Sequence, residues 1–249
     1  MVQSVARSFH VLEAVAALQP VGVAELSRRL ELPKSTVQRS LTTLAELQWI
    51  EPAGNSFIQW SLGPKARRFA KNNGSDTRLR EAALSPMQSL RDDTGETIHL
   101  VVPTGATDVT IVERVDSTQA VRTFAELGQQ APIYTQSSGL AMLAHMPKSR
   151  VDAAISSGIK SFSKTGLRNE AELNHRLAEI RNKGYAVNLS MYRPDVCAIG
   201  VAIFDGDRSV VAGLAISMPQ SRYNEAQTPR LGERARAAAR DIEHRLSAF

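Results

Sequence analysis

The sequence predicts an α+β protein of two domains, a small helical one followed by a larger one built on a sheet with flanking helices. Three observations point there. The chain has 249 residues, more than a single core of ordinary size organises. Its positive charge is gathered at one end: residues 1–72 carry nine Lys or Arg against five Glu, and the remainder carries 21 Lys or Arg against 20 acids. The pattern also changes at "KNNGSD", residues 71–76, a cluster of helix breakers that separates three helical stretches and a hairpin from a longer alternation of strand and helix patterns.

Taken in order, Ser4 to Leu18 places Val5, Phe9, Leu12, Val15, Ala16 and Leu18 at helical spacing and stops before Pro20. A turn at Gly22 opens a second, short helix in which Leu26 and Leu30 share a face. "ELPKST" is then a tight connection into a third helix, about Lys34 to Gln48, whose buried stripe is Val37, Leu41, Leu44 and Leu47. "WIEPAGNSFIQWSLG" alternates apolar and polar residues about a turn, the pattern of a β-hairpin with an exposed tip. Three helices and a hairpin in this order make a winged helix-turn-helix.

After the breaker cluster, residues 73–94 read as a linker: one helix from near Asp76 that bends or ends before Pro86, and a second that Pro86 opens and Gly95 closes. From residue 95 to 249 the second domain follows. Strands are expected at "TIHLVV", "DVTIVERV", "AVRTF", "YAVNLSM", "CAIGVAIF" and "VVAGLAIS", with helices at Ser138–His145, Lys148–Ser157, Asn169–Lys183 and Thr228–Leu246.

Composition excludes several classes of function. Hydrophobic residues at 43% and charged ones at 22% suit a chain that buries a core, so disorder as the main state is out. The lone cysteine, Cys197, excludes an internal disulfide and a cysteine-cluster zinc site, and points to the reducing cytoplasm. "MVQSVARSFHVLEAV" is too polar for a secretory signal, and no segment reaches membrane-spanning length. His10, His99, His145, His175 and His244 are scattered without a nucleophile motif. Glu96 and His99 stand three apart in a turn-to-strand passage, more suited to capping and packing than to metal. With no phosphate-binding loop or dinucleotide fingerprint either, neither an enzyme, a cofactor nor a metal is expected.

The third helix carries the sharpest signal. A helix that reads DNA presents short polar and cationic groups on the face that enters the major groove. Here Arg39 can pair with guanine and Gln38 with adenine; Ser35 and Thr36 can reach bases or phosphates near the helix start, with Lys34 as a phosphate contact. Thr42 lies on the same face, and Asn55 at the hairpin tip. A solvated amphipathic helix is the plain alternative, but the local charge and the helix order together favour duplex DNA. Because one such helix reads few base pairs, a homodimer is the minimum, with contacts expected through the first helix and the linker.

"GVAELSRRLELPKSTVQRSLTTLAELQWI" resembles the DNA-binding domain of the IclR family of bacterial transcriptional regulators. The resemblance continues through "TGETIHLVV", "SSGLAMLAHMP", "LAEIRNKGYAVN", "CAIGVAIFD" and "VVAGLAISMPQSR", in family order and over nearly the whole chain. It implies a GAF-like second domain whose pocket binds a small effector, often an organic acid, and dimers that pair into tetramers. By that likeness Ser137, Ser138 and Gly139 at a helix start, with Asn188, Asp195, Cys197, Ala215 and Ser217 from the strands, would surround the ligand. The chain departs from the family pattern at Leu140 for a lysine, Asn188 and Leu189-Ser190 for acids, and Ala202 for a proline. The expectation is a ligand-controlled, sequence-specific DNA-binding regulator. The alternative is a small-molecule sensor or hydrolase-like enzyme whose N-terminal module mediates protein contacts.

Overall fold

A computed structural model describes residues 3–53, 58–71 and 74–248. The chain divides into two compact units, Met1–Gly74 and Ser75–Phe249.

In the first unit, α1 (Gln3–Leu18), α2 (Val23–Leu30) and α3 (Lys34–Glu46) precede β1 (Ile50–Ala53), β2 (Gln59–Leu62) and α4 (Pro64–Lys71). The antiparallel β1–β2 ribbon is the wing, extended by a bridge in which the Trp60 and Val21 backbones exchange hydrogen bonds of 2.8 and 3.1 Å. The core gathers Val11, Val15, Leu26, Val37, Leu41, Leu44, Ile50 and Trp60. Two expectations fail in detail. Leu47 falls beyond the end of α3 and is 51% exposed, while Ser40 is buried in its place. On α1 the buried positions are Val11 and Val15, leaving Val5 52% and Phe9 58% exposed.

α5 (Gly74–Thr94), which from Ser75 onward belongs to the second unit, is a single helix that continues through Pro86 where two pieces were expected. Leu79, Ala82, Ala83, Met87 and Leu90 are buried against the sheet, so tertiary packing outweighs the hydrogen bond that proline removes. Arg80 fixes this helix laterally through two bonds, 3.0 and 2.9 Å, to Glu113.

The sheet comprises β3 (Thr97–Thr104), β4 (Asp108–Val115), β5 (Gln130–Pro132), β6 (Ala186–Leu189), β7 (Val196–Phe204) and β8 (Val210–Pro219), all antiparallel in the order β5-β4-β3-β8-β7-β6. On one face α5 and α9 (Thr228–Ser247) cover Ile98, Leu100, Val201, Leu214 and Ile216. On the other lie α6 (Ser137–His145), α7 (Lys148–Ser156) and α8 (Glu170–Lys183), packed with Val101, Val109, Ile133 and Ala202. Local sequence sets the ends of α8: the Asn169 side chain accepts from the Glu172 amide at 2.9 Å, and Gly184 closes the helix at φ +77.

The expected strand "AVRTF" is absent. Ala120–Phe124 belongs to a strap, residues 116–129, that crosses in front of the sheet, and the edge beside β4 goes to β5 instead. Between Val121 and Ala125 its carbonyls are held by side chains rather than by a ladder: Arg222 donates to Val121 O at 2.6 Å, Arg193 to Phe124 O at 2.7 Å, and Arg114 to Ala125 O.

Candidate functional site

Two places hold the chemistry, one in each unit. In the first, α2 ends with Glu31 in the left-handed region at φ +54, and the Ser27 hydroxyl donates to Leu32 O at 2.6 Å, which fixes a very short turn into α3. No side chain caps α3, and Thr36 N turns back to Pro33 O at 2.9 Å, so the Lys34 and Ser35 amides are the ones left open to a phosphate. With Val37, Ser40, Leu41 and Leu44 buried, helical spacing turns Lys34, Ser35, Gln38, Arg39 and Thr42 outward as an exposed group, and Thr36 is half-buried. Among the described residues, neither Lys34 nor Arg39 takes part in an ion pair. Thr42 turns its hydroxyl onto its own helix, donating to Gln38 O at 3.0 Å. Asn55 lies outside the described residues.

Sequence reasoning passed over α4, "PKARRFAK", which adds Lys65, Arg67 and Arg68 next to the wing. Arg67 is engaged with Leu62 O at 2.6 Å and with Glu51 at 2.7 Å. Lys65 lies 5.7 Å from the centre of the Trp49 ring.

In the second unit a cavity of about 80 Å³ opens where the start of α6 meets the sheet. Close backbone approach creates this meeting. A Cβ at position 200 of β7 would stand 2.2 Å from Ser138 N, and one at position 139 would stand 2.0 Å from Ile133 O. Only glycine fits either place. Gly139 therefore packs α6 and does not line the cavity.

Ser137, Ser138, Asn188, Ala215 and Ser217 do line it. Strand register explains which of the expected residues share this wall. Ser217 faces Thr97 on β3 and Ala198 on β7, and Ala198 in turn faces Asn188 on β6. A strand alternates its faces, so with Ala198 toward the cavity Cys197 must point away. It does, into the core beneath α5 and α9, and burial pushes its thiol pKa up. Asp195 is exposed in the β6–β7 turn and does not line the cavity either. Asn188 is already engaged, its amide donating to Thr135 O at 2.7 Å and accepting from Met191 N at 2.9 Å.

The polar and aromatic lining residues that sequence reasoning missed come mainly from the strap and the β6–β7 turn: Thr123, Phe124, Gln129, Tyr192 and Arg193. No periodic pattern marks them. His99 was weighed only with Glu96 for metal, yet the two part company: Glu96 holds Arg222 through two bonds of 2.7 Å, and His99 faces the cavity. Burial, followed by the charge of Arg114, lowers the His99 pKa to about 4, so its ring is neutral near pH 7. Its Nε2 and the Ser137 Oγ are buried without a hydrogen-bond partner. Among the described residues no group of three or more His, Cys, Asp or Glu is placed to hold a metal ion, and no helix is long and apolar enough to cross a membrane.

This arrangement offers an exposed cationic helix in one unit and, in the other, a mostly apolar recess with unpaired polar atoms. Comparison with known proteins agrees with it in both units. Residues 4–54 match the IclR helix-turn-helix domain, and residues 74–244 match the bacterial transcriptional regulator IclR C-terminal domain. The chain is 30% identical to the HTH-type transcriptional regulator KdgR of Escherichia coli K12 over 98% of its own length and 93% of that protein's. It is 25% identical to the transcriptional repressor IclR of the same strain, over 97% and 89%. Among solved structures, an IclR homologue from Microbacterium hydrocarbonoxydans, complexed with 4-hydroxybenzoate, superposes with a TM-score of 0.81 at 25% identity, covering 99% of this chain and 100% of that one. Matched along nearly its whole length by models of both domains, the chain belongs to the IclR family of bacterial transcriptional regulators.

Proposed function

We propose that the protein binds operator DNA through α3 and that a small organic acid, held in the cavity beside α6, controls that binding. The observation that carries this reading is the outward face of α3. Lys34, Ser35, Gln38 and Arg39 are exposed together, and base-edge and phosphate recognition needs such groups at a helix start. The 4-hydroxybenzoate bound by the homologue from Microbacterium hydrocarbonoxydans supports an acid as effector. The one thiol is sealed in a core, which speaks against the enzymatic alternative.

The working form is a homodimer or a dimer of dimers, since two copies of α3 are needed to read a spaced pair of half-sites. Exposed Val5 and Phe9 on α1 and Leu84 on α5 support contacts through the first helix and the linker. Effector binding then changes DNA affinity to the extent that it favours one arrangement of the two reading helices over another.

The test is a mobility-shift screen of genomic fragments with the full chain, repeated with Arg39→Ala and Gln38→Ala. One or a few fragments are retained selectively, and each substitution weakens that retention by about 1–3 kcal/mol. Undiminished site preference in both variants would exclude α3 as the reading element.

A further inference from the structure

Three arginines, Arg222, Arg114 and Arg193, hold the strap by carbonyls between Val121 and Ala125, and they differ in what else they hold. Arg222 also grips the carboxylate of Glu96 at 2.7 Å, and Arg114 that of Asp116 at 2.6 Å. Among the described residues, Arg193 holds no carboxylate. Its guanidinium lies between two neutral acceptors, Phe124 O at 2.7 Å and Gln129 Oε1 at 2.8 Å, and it is the arginine that lines the cavity.

The turn that presents it is built under constraint. Ser190 and Asp195, neither of them glycine, adopt left-handed backbone at φ +57 and +59 on either side of it. Ser190 N donates to Val196 O at 2.9 Å, and Met191 N to Asn188 Oδ1 at 2.9 Å. Such conformations persist where surrounding contacts impose them, so the tip carrying Arg193 is held in place toward the strap.

No Asp or Glu is among the described residues lining the cavity, and Arg193 is the permanently charged one. An arginine whose partners are neutral gains most from a carboxylate, because charge-assisted bonds are shorter and roughly twice as strong.

We propose that Arg193 sets the selectivity of the cavity: it exchanges the Phe124 carbonyl for the carboxylate of the ligand, so small acids with an apolar body are accepted and their uncharged counterparts are not. This rests on the reading that the cavity is the effector site, and assigns the residue that discriminates there. Val101, Val109 and Ile111 receive the apolar body. Neutral His99 Nε2 and Ser137 Oγ, both unpartnered, receive a second polar group of the ligand without competing for its charge.

The experiment uses the full chain and three acid and amide pairs: 4-hydroxybenzoate, benzoate and pyruvate, each against its amide, by calorimetric titration and thermal shift. At least one acid binds, and its amide binds about tenfold or more weakly. Arg193→Gln reduces affinity for the acid by about the same factor while the amide changes little, and Arg193→Lys, which keeps the charge, retains most of the preference. A merely structural role would weaken acid and amide alike, and that result overturns the proposal. So does equal binding of acid and amide to the unsubstituted chain, or binding of no acid in the panel. Acid binding that depends on Arg193 in a chain that retains no DNA fragment would instead leave this assignment standing and remove the regulatory reading.

Discussion

The backbone of Ser138 lies directly on Gly200: a Cβ on residue 200 would stand 2.2 Å from Ser138 N and 2.3 Å from the carbonyl carbon of Ser137. The obstacle is backbone at the buried start of a helix, which cannot swing aside as a side chain would. Gly200→Ala is therefore expected to lift α6 from β7, lowering stability by about 1–3 kcal/mol and weakening ligand binding, because Ser137 and Ser138 move with it. Gly206, in the β7–β8 turn, has nothing within 4 Å of such a Cβ, so Gly206→Ala stays within about 0.5 kcal/mol. Urea unfolding of both variants is the check. Equal midpoints would refute the close-approach argument.

How much of this was readable beforehand depends on whether a contact is local or long-range. α8 was legible because Asn169 and Gly184 mark its ends in the sequence itself, and the stripe of α3 because Val37, Leu41 and Leu44 recur at helical spacing. Cys197 went wrong for a definite reason. The alternation within β7 says that Cys197 and Ala198 face opposite ways, but which of them meets the cavity is settled by pairing with Asn188 and Ser217, and a slip of one residue would exchange the two. The strap misled in another way: Val121 and Phe124 carry strand propensity, yet arginines distant in sequence hold the carbonyls there. For the same reason Arg193 showed no signal, since its partners lie 69 and 64 residues away.

His99 makes stability depend on pH. Its folded-state pKa is about 4 against an ordinary 6.5, chiefly through burial. Between those values the unfolded chain binds the proton and the folded one does not, so stability rises with pH through that window and is flat above it. Acidification from about pH 6.5 to 4 is expected to cost on the order of 3 kcal/mol from this group. In His99→Gln that part of the slope disappears, and a pH series of unfolding free energies shows it. An unchanged slope would mean that His99 titrates normally.

Lys34 and Arg39 should separate by salt. Both are exposed and, among the described residues, outside any ion pair, but the proposed reading gives the lysine at the start of α3 a phosphate and Arg39, more than a turn later, a base edge. Lys34→Ala is expected to weaken retention of all duplex fragments alike and to reduce the slope of log affinity against log salt by about 1, whereas Arg39→Ala relaxes the choice among fragments. Titrations across a salt series on the preferred fragment and on an unrelated one distinguish these outcomes. A uniform loss with both substitutions would assign Arg39 to the backbone as well.

Phe9 offers the sharpest test of assembly. It is 58% exposed one helical turn from Val5, itself 52% exposed, so the two form an apolar strip on α1 while Val11 and Val15 anchor the other side of the helix in the core. Because that strip lies outside the core of the folded unit, Phe9→Asp should change its unfolding midpoint little. Covered by a second copy, however, Phe9 would be a contact that a buried, unpaired carboxylate cannot replace. The variant is then expected to sediment as a smaller species and to lose the tight, two-half-site complex, keeping only weak, salt-sensitive retention of DNA. Analytical ultracentrifugation together with mobility shifts reads both. An unaltered mass would place the contact between copies elsewhere than α1, and with it the device that sets the distance between the two reading helices.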